Sequence, residues 1–243
     1  MGFWYGNNNR AYRLKELLDK KEKFTFDEFK DIKFDQTFPR ESKFFKSMKP
    51  LFGLDTVKFP DLAESIKKIN QWNYSCNLDN KDAALPLIAI KYLFKKHHYG
   101  QEELEKGVFF PDSVFAHALR YSRDLLIDNF KSLDVPLGTI QRLQRGTVDM
   151  PVGGAPDVLA ALHTEPLPNG REKAVGGDTY VQLVRFTKDG PQIESLLPCG
   201  NSNRPESPHY TDQMDLYSKQ KTKTMTLDKA TIFRDAERIY HPK

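Results

Sequence analysis

The spacing of apolar residues changes near residue 135 of this 243-residue chain. Before that point, apolar side chains recur every three or four positions, as they do in amphipathic helices. After it, Gly and Pro recur, and Thr179 to Phe186 is rich in β-prone residues. We therefore predict an α+β fold in one domain. Residues 1–134 would form its helical portion, and residues 135–243 a loop-rich portion with a β-hairpin and terminal helices.

Local signals locate several helix starts in the first half. Asn9 is predicted to cap a helix whose leucines line one face. Thr25 to Glu28 has the spacing of a capping box. Pro111-Asp112-Ser113 is expected to open another helix, and Asp82 precedes a long apolar segment. We expect the apolar stripes of these helices to form core.

Turn signals organise the second half. Lys188-Asp189-Gly190 is predicted to turn the strand at Thr179 to Phe186 into a return strand at Gln192 to Leu197. Ser207 is expected to cap a helix around Tyr210 to Tyr217, and Thr226 or Asp228 would begin the last helix.

Composition excludes several classes of protein. The net charge of +4 is small and spread along the chain, so a nucleic-acid partner is not expected. No apolar run is long enough to span a bilayer, and Met1 to Gly6 shows no signal peptide. Cys76 and Cys199 are free thiols or one bridge.

Several segments, in this order, carry a family resemblance: Asn8 to Arg13, Phe26 to Phe34, Trp72 before Asp79 to Phe94, Gly138 to Leu143 through Gly153-Gly154, Gly176 to Asp178 and Ser207 to Gln213. The series resembles the C-terminal part of the β chain of the penicillin acylase family, which are N-terminal-nucleophile amidohydrolases. One departure is Gln141-Arg142, where the family often has His-Arg. The resemblance implies the C-terminal portion of an αββα fold.

The resemblance also implies a reaction. In the family, an N-terminal Ser attacks an amide carbonyl with its own α-amine as base, and a backbone N–H and an Asn hold the oxyanion. Met1 to Gly6 contains no Ser, and the spacing of Asn7, Asn8 and Asn9 to Arg10 does not fit the oxyanion Asn. The chain is therefore expected to be a fragment that is inactive alone. Its expected partners are the upstream β-chain segment and the α chain.

Arg10 is the candidate site residue, a supporting catalytic residue by resemblance. Its guanidinium would orient a carboxylate or support the oxyanion Asn. The alternative is an ordinary Arg of a first helical turn, paired with Glu16 or another acid. His209, close to Ser207 and Asp212, is expected to serve capping and loop packing, because a catalytic triad is assembled across a fold.

The remaining expectations follow from the resemblance. The complete enzyme would act on a small acyl amide, either an acylated β-lactam nucleus or an N-acyl homoserine lactone, in the periplasm or outside the cell. Calcium is possible in the complete enzyme, with no cofactor in this chain, where Asp178 is expected to cap a turn. No nucleic acid or membrane is expected as a partner.

Two other functions stay open. A non-catalytic helical interaction protein would be monodisperse and melt cooperatively, whereas an acylase fragment should aggregate because sheet partners are missing. A nucleic-acid binder would need a concentrated basic face and a steep salt dependence.

Overall fold

A computed structural model describes residues 8–97, 110–236, 238 and 239 of the chain. Its contacts divide the chain into two compact units, Met1–Asp178 and Thr179–Lys243. Both helices and two sheets are present, so the predicted α+β class is confirmed, with a helical first half and a hairpin in the second. The predicted organisation as one domain in two portions, 1–134 and 135–243, stays a prediction.

The described part of the first unit contains seven α-helices, one 3₁₀ turn and a four-stranded sheet. The helices are α1 (Asn9–Leu18), α2 (Phe26–Lys33), α3 (Lys43–Phe52), α4 (Ala63–Ile69), α5 (Ala84–His97), α6 (Asp112–Phe130) and α7 (Leu137–Ile140), with the 3₁₀ turn at Pro60–Leu62 before α4. The strands are β1 (Gln141–Arg145), β2 (Val148–Pro151), β3 (Leu162–Pro166) and β4 (Glu172–Gly177).

The sheet of the first unit has the order β2-β1-β4-β3. β1 pairs antiparallel with β2 and parallel with β4, and β4 pairs antiparallel with β3. None of the described helices is long and apolar enough to cross a membrane.

Helix starts follow the local sequence closely. The capping box is confirmed: Thr25 accepts a hydrogen bond from the Glu28 N–H, and the Glu28 carboxylate accepts one from the Thr25 N–H. The predicted cap of α1 is wrong by one residue. Asn8, not Asn9, accepts from the Ala11 N–H at 3.0 Å. Asn9 is instead a buried residue of the first turn.

The core of the first unit lies mainly around α5 and α6. α5 is buried along most of its length, from Ala84 to Ile90 and at Leu93. Five aromatic rings pack together next to it: Phe38, Phe45, Phe52, Trp72 and Tyr74.

The prediction that every helical stripe forms core is wrong for α1 and holds only in part for α2. Leu14 and Leu18 of α1 and Phe29 of α2 are exposed in this chain. Both helices are short, and polar contacts rather than apolar packing fasten α1, as shown below. The exposed leucines of α1 and Phe29 of α2 therefore form apolar surface, whereas Ile32 of α2 is buried.

The described part of the second unit is a three-stranded antiparallel sheet with two short helices. Its elements are β5 (Val181–Thr187), β6 (Gly190–Leu196), α8 (Met214–Ser218), β7 (Lys223–Met225) and α9 (Lys229–Asp235). The sheet order is β5-β6-β7, and the predicted hairpin is β5 with β6. Asp228 caps α9, as expected, by accepting from the Thr231 N–H at 2.7 Å.

The helix predicted after Ser207 begins later, at Met214. Ser207 instead accepts a hydrogen bond from the His209 N–H at 3.2 Å, two residues on. Gln213 then fastens the segment: its N–H donates to the Cys199 carbonyl at 2.8 Å, and its side-chain oxygen accepts from the Leu197 N–H at 3.0 Å. Residues 207–213 therefore form an ordered loop, because these bonds satisfy its backbone without a helix.

Candidate functional site

Arg10 lies in the first turn of α1 and contacts Asp157, in the loop between β2 and β3. Its Nε donates to Asp157 Oδ1 at 3.2 Å, and the Asn9 N–H donates to Asp157 Oδ2 at 2.9 Å. Asp157 has a φ of 64°, in the left-handed region that Asp tolerates better than most residues. Arg10 thus pairs with Asp157, whereas Glu16 pairs with Arg13. The supporting catalytic role of Arg10 stays a prediction.

The Asp157 carboxylate serves both the helix and the guanidinium. A negative charge at a helix N-terminus is favourable because the first N–H groups point toward it. Burial raises the pKa of Asp157, although the N–H of Asn9 and the charge of Arg10 act in the opposite direction. The carboxylate is thus a partly desolvated group that depends on these two donors for its partners.

Arg13, one turn further along α1, binds α2's C-terminal end. Its Nε and Nη2 donate to the two oxygens of Asp35 at 2.9 and 2.8 Å, a bidentate pair. Nη1 donates to Glu16 at 3.2 Å. The hydrogen bond to Asp35 is the main cause that raises the pKa of Arg13. α1 is therefore fixed at two points, on Asp157 and on Asp35.

The loop that carries Asp157 is itself tied to α2. The Ala160 N–H donates to the Asp35 carbonyl at 3.0 Å. Lys33 donates to the Leu159 carbonyl at 3.2 Å and to Asp178 at 2.6 Å. Asp178, predicted to cap a turn, is therefore an ion-pair partner at the end of β4. Together these bonds hold Arg10 in a defined place.

The outer part of the Arg10 side chain is available for a ligand. The side chain is 51% exposed, and only Nε is bonded to a described residue. Nη1 and Nη2 donate to no residue in the described ranges. A guanidinium with a fixed Nε and two open Nη groups can donate to a carboxylate or to an amide oxygen.

Comparison with known proteins identifies the family. The family model described as penicillin amidase matches residues 1–234. The chain belongs to the penicillin amidase family. This confirms the resemblance that the separate sequence segments suggested.

Relatives match parts of the chain. An acyl-homoserine lactone acylase, PvdQ, of Pseudomonas fluorescens is 30% identical over 107 residues, which is 43% of this chain and 14% of that protein. An aculeacin-A acylase of Actinoplanes utahensis is 30% identical over 109 residues, again 43% of this chain and 14% of the relative. The aligned segments thus span about one seventh of these curated relatives.

Among solved structures, a thermostable penicillin G acylase from Alcaligenes faecalis aligns with 99% of this chain and 54% of that chain. The sequence identity is 14% and the TM-score is 0.49.

The other residues singled out in the sequence are His209, with Ser207 and Asp212, and Gln141. His209 Nδ1 is 2.9 Å from Asp212 Oδ2, in the second unit. The Ser207 hydroxyl oxygen accepts from the His209 backbone, and a triad would need the hydroxyl to donate to the ring. The arrangement is the loop packing that the sequence indicated. Gln141, at the position of the family's frequent His, is buried, and its Oε1 accepts no hydrogen bond from the described residues.

The sequence patterns do not predict one polar cluster of the first unit. Lys91 of α5 donates to Thr164 at 2.7 Å and is ion-paired with Glu172, which also accepts from the Thr164 hydroxyl at 2.6 Å. These residues are 73 and 81 positions from Lys91, so no local pattern announces the contact. Its one signal is Lys91, which interrupts the apolar run from Ala83 to Phe94.

The calcium that the family resemblance implies has no donor set in this part of the chain. Within the described ranges, no three His, Cys, Asp or Glu side chains come together in a group that could hold a metal ion. Calcium prefers six to eight oxygen ligands, with carboxylates among them. We assign no metal ligand to the described residues.

Proposed function

We propose that this chain forms one portion of an amidohydrolase that cleaves linear carbon–nitrogen amide bonds. The supporting evidence is its membership of the penicillin amidase family together with relatives that carry acylase names. The substrate would be a small acyl amide, with an acyl-homoserine lactone and an acylated β-lactam nucleus as the two candidates. The products would be a free acid and an amine.

Arg10 is the residue through which this chain would contribute to the reaction. Its Nε donates a hydrogen bond to Asp157 at 3.2 Å, and this bond holds the guanidinium in place. Nη1 and Nη2 donate to no described residue. Two open N–H groups can support the amide oxygen of an oxyanion-binding Asn, or orient a substrate carboxylate. This geometry is the observation that carries the proposal for the site.

The attacking Ser and the oxyanion Asn would come from other acylase polypeptide, so the chain would be inactive alone.

Exposed apolar surface in the second unit supports an incomplete assembly. Three exposed apolar side chains lie on one face of β5 and of the residue before it: Tyr180, Val184 and Phe186, with exposed fractions of 51, 40 and 85%. β5 also has only one neighbour among the described strands. Open edges and apolar faces of this kind ordinarily bind further chain.

The partners would be the upstream β-chain segment and the α chain. A complete enzyme of this type would act in the periplasm or outside the cell. Calcium in the complete enzyme remains a proposal from the family resemblance.

Co-expression tests the proposal. The chain is produced alone and together with the polypeptide encoded upstream, and both preparations are assayed with p-nitroanilides of short and long acyl groups. We expect p-nitroaniline release from the pair and none from the chain alone. An inactive pair contradicts the acylase proposal, and activity of the chain alone contradicts its dependence on a partner.

Variants of Arg10 in the active pair test its role. Arg10→Gln removes the charge and the open donors, and we expect kcat/KM to fall by about 10²-fold, the loss typical of one oxyanion-hole donor. Arg10→Lys keeps the charge without the planar fork and should fall less. Lys20→Gln, an exposed change beyond the end of α1, is the matched control. Unchanged kinetics of Arg10→Gln would contradict the role.

The same preparations address the non-catalytic alternative. A chain that is monodisperse and melts cooperatively alone, and is inactive in every pairing, would identify it as a helical interaction protein. Aggregation of the chain alone, relieved by the partner, supports the acylase proposal.

A further inference from the structure

A cleft of about 830 Å³ opens in the first unit beside the Lys91 cluster. It lies between α5 and α6 on one side and the β3–β4 hairpin on the other. Its apolar wall contains Ile88, Tyr92, Tyr121, Leu125, Pro156 and Leu167. The volume falls in the range of about 300–1,000 Å³ that is typical of small-molecule sites.

Positive charge lines the same cleft. Lys95, Lys96 and Arg171 are lining residues, and none of them forms an ion pair with a described residue. Lys91 also lines the cleft, but Glu172 neutralises it. The described lining therefore has four cations and one anion, a net charge of +3. An occupant that combines an apolar body with an anionic group would match both features.

The walls of the cleft are already in place. On the hairpin, the Leu167 N–H donates to the Arg171 carbonyl at 2.7 Å across a tight turn. Gly170 in that turn has a φ of 75°, and a Cβ there would lie 2.6 Å from the Asn129 side chain. The turn is thus packed closely on the C-terminal end of α6, and the Lys91–Thr164–Glu172 bonds join the hairpin to α5. A preformed site of this kind binds with little ordering cost.

We propose that this cleft binds an amphipathic carboxylate, such as a medium-chain fatty acid. The acyl chain lies along the apolar wall between Tyr92 and Leu167, and the carboxylate lies at the cationic side, where Lys95 and Arg171 donate to it. The inference rests on the cleft alone and does not depend on amide hydrolysis by the enzyme.

Equilibrium dialysis of radiolabelled decanoate against the full chain tests the proposal, below the micelle concentration. We expect saturable binding of one decanoate per chain. Acetate and decanol should bind at least about tenfold more weakly, because acetate lacks the apolar chain and decanol lacks the anionic group. Equal binding of decanol and decanoate would overturn the proposal, since the cations would then have no part in it. Absence of saturable binding would overturn it as well.

Three variants locate the site. Lys95→Gln combined with Arg171→Gln should weaken decanoate binding at least about tenfold, since hydrogen bonds to a charged group are lost. Leu125→Trp should block the apolar wall without a change of charge. Lys67→Gln, an exposed lysine on α4, should leave binding unchanged. Circular-dichroism melting verifies that each variant is folded, and equal affinity in all of them would refute the assignment.

The co-expressed pair distinguishes a ligand site from a protein interface. Decanoate binding that persists in the pair supports the proposal. Loss of binding on addition of the partner would identify a segment of the acylase as the true occupant and overturn it. Amide hydrolysis by the same pair is measured separately, so failure of this proposal is distinguishable from failure of the proposed function.

Discussion

Asp157 and Arg10 lie 147 positions apart in sequence, and their side chains meet at 3.2 Å. The same carboxylate also accepts the Asn9 N–H at 2.9 Å. One acid thus anchors both the start of α1 and the guanidinium of the candidate site. Any change at Asp157 should therefore affect local stability and the orientation of Arg10 together.

Asp157→Ala should lower the free energy of unfolding by about 1–2 kcal/mol, as losses of helix N-terminal caps do. Ala removes the acceptor for α1 and is also a poor residue at a φ of 64°. Asp157→Asn keeps an acceptor oxygen and tolerates that backbone conformation, so its effect should be smaller. Urea denaturation measures both. An equal loss in the two variants would show that the charge, and not the acceptor, is what matters.

Arg13→Lys should destabilise the protein by about 1.5–3 kcal/mol, the range for hydrogen bonds to charged groups. The bidentate pair with Asp35 is largely shielded, with exposures of 18 and 16%, and a Lys cannot reproduce its two parallel bonds. The control is Lys15→Gln, whose pair with Asp19 is 74 and 60% exposed. Exposed pairs contribute about 0–1 kcal/mol, so denaturant midpoints should separate the two variants clearly.

Gly153→Ala should be destabilising by about 1–3 kcal/mol, because an added methyl overpacks the loop. A Cβ at Gly153 would lie 2.7 Å from Gln36 Oε1 and 2.8 Å from the backbone oxygen of Cys76. Gly53 is the matched comparison: its nearest atom is 3.4 Å away, and its φ is −106°. Gly53→Ala should therefore be neutral or stabilising by up to about 1 kcal/mol. Thermal melts that rank the two in reverse would contradict the packing argument.

The two cysteines should differ strongly in thiol reactivity. Both are free, but Cys76 is buried and Cys199 is partly exposed. Burial raises the pKa of the Cys76 thiol, which keeps the reactive thiolate from forming. We expect Ellman's reagent to titrate one thiol rapidly in the native protein and two in guanidinium chloride. Cys199→Ser should abolish the rapid phase, and a rapid phase that survives this change would disprove the assignment.

Asp61 should make stability depend on acidic pH. Hydrogen bonds from Arg120, with Arg123 also close, lower the pKa of Asp61 from 3.8 to about 2. A depressed carboxyl pKa stabilises the folded state above the unfolded value, and this contribution is lost as the pH falls from about 4 to about 2. Asp61→Asn should therefore lower Tm relative to wild type at pH 6, and this difference should vanish near pH 2. Val57→Ala, a change at a residue that is 86% exposed and cannot titrate, is the control.

The parts of the fold that were predicted correctly depend on near neighbours. The Thr25–Glu28 capping box is a contact between residues three apart, and the β5–β6 hairpin turns within a few residues. Ser207 shows the limit of this reasoning. Its sequence suits a helix cap, but long-range bonds through Gln213 hold the segment as a loop.

The family could also be recognised from residues alone, because it depends on the order of short segments along the chain. Arg10 was selected in the same way. Three features could not be predicted from the sequence: the contact of Arg10 with Asp157, the exposure of apolar residues on α1 and α2, and the Lys91–Thr164–Glu172 cluster.

Most of the helices, the β5–β6 hairpin and family membership follow from interactions between residues close in sequence and from residue order, both of which are written in the chain. The Arg10–Asp157 ion pair and the Lys91–Thr164 hydrogen bond join residues that are 147 and 73 positions apart. Their formation depends on how the helices and the sheet pack. Packing is a collective outcome of many burial and hydrogen-bond terms of similar size, so no single segment specifies it.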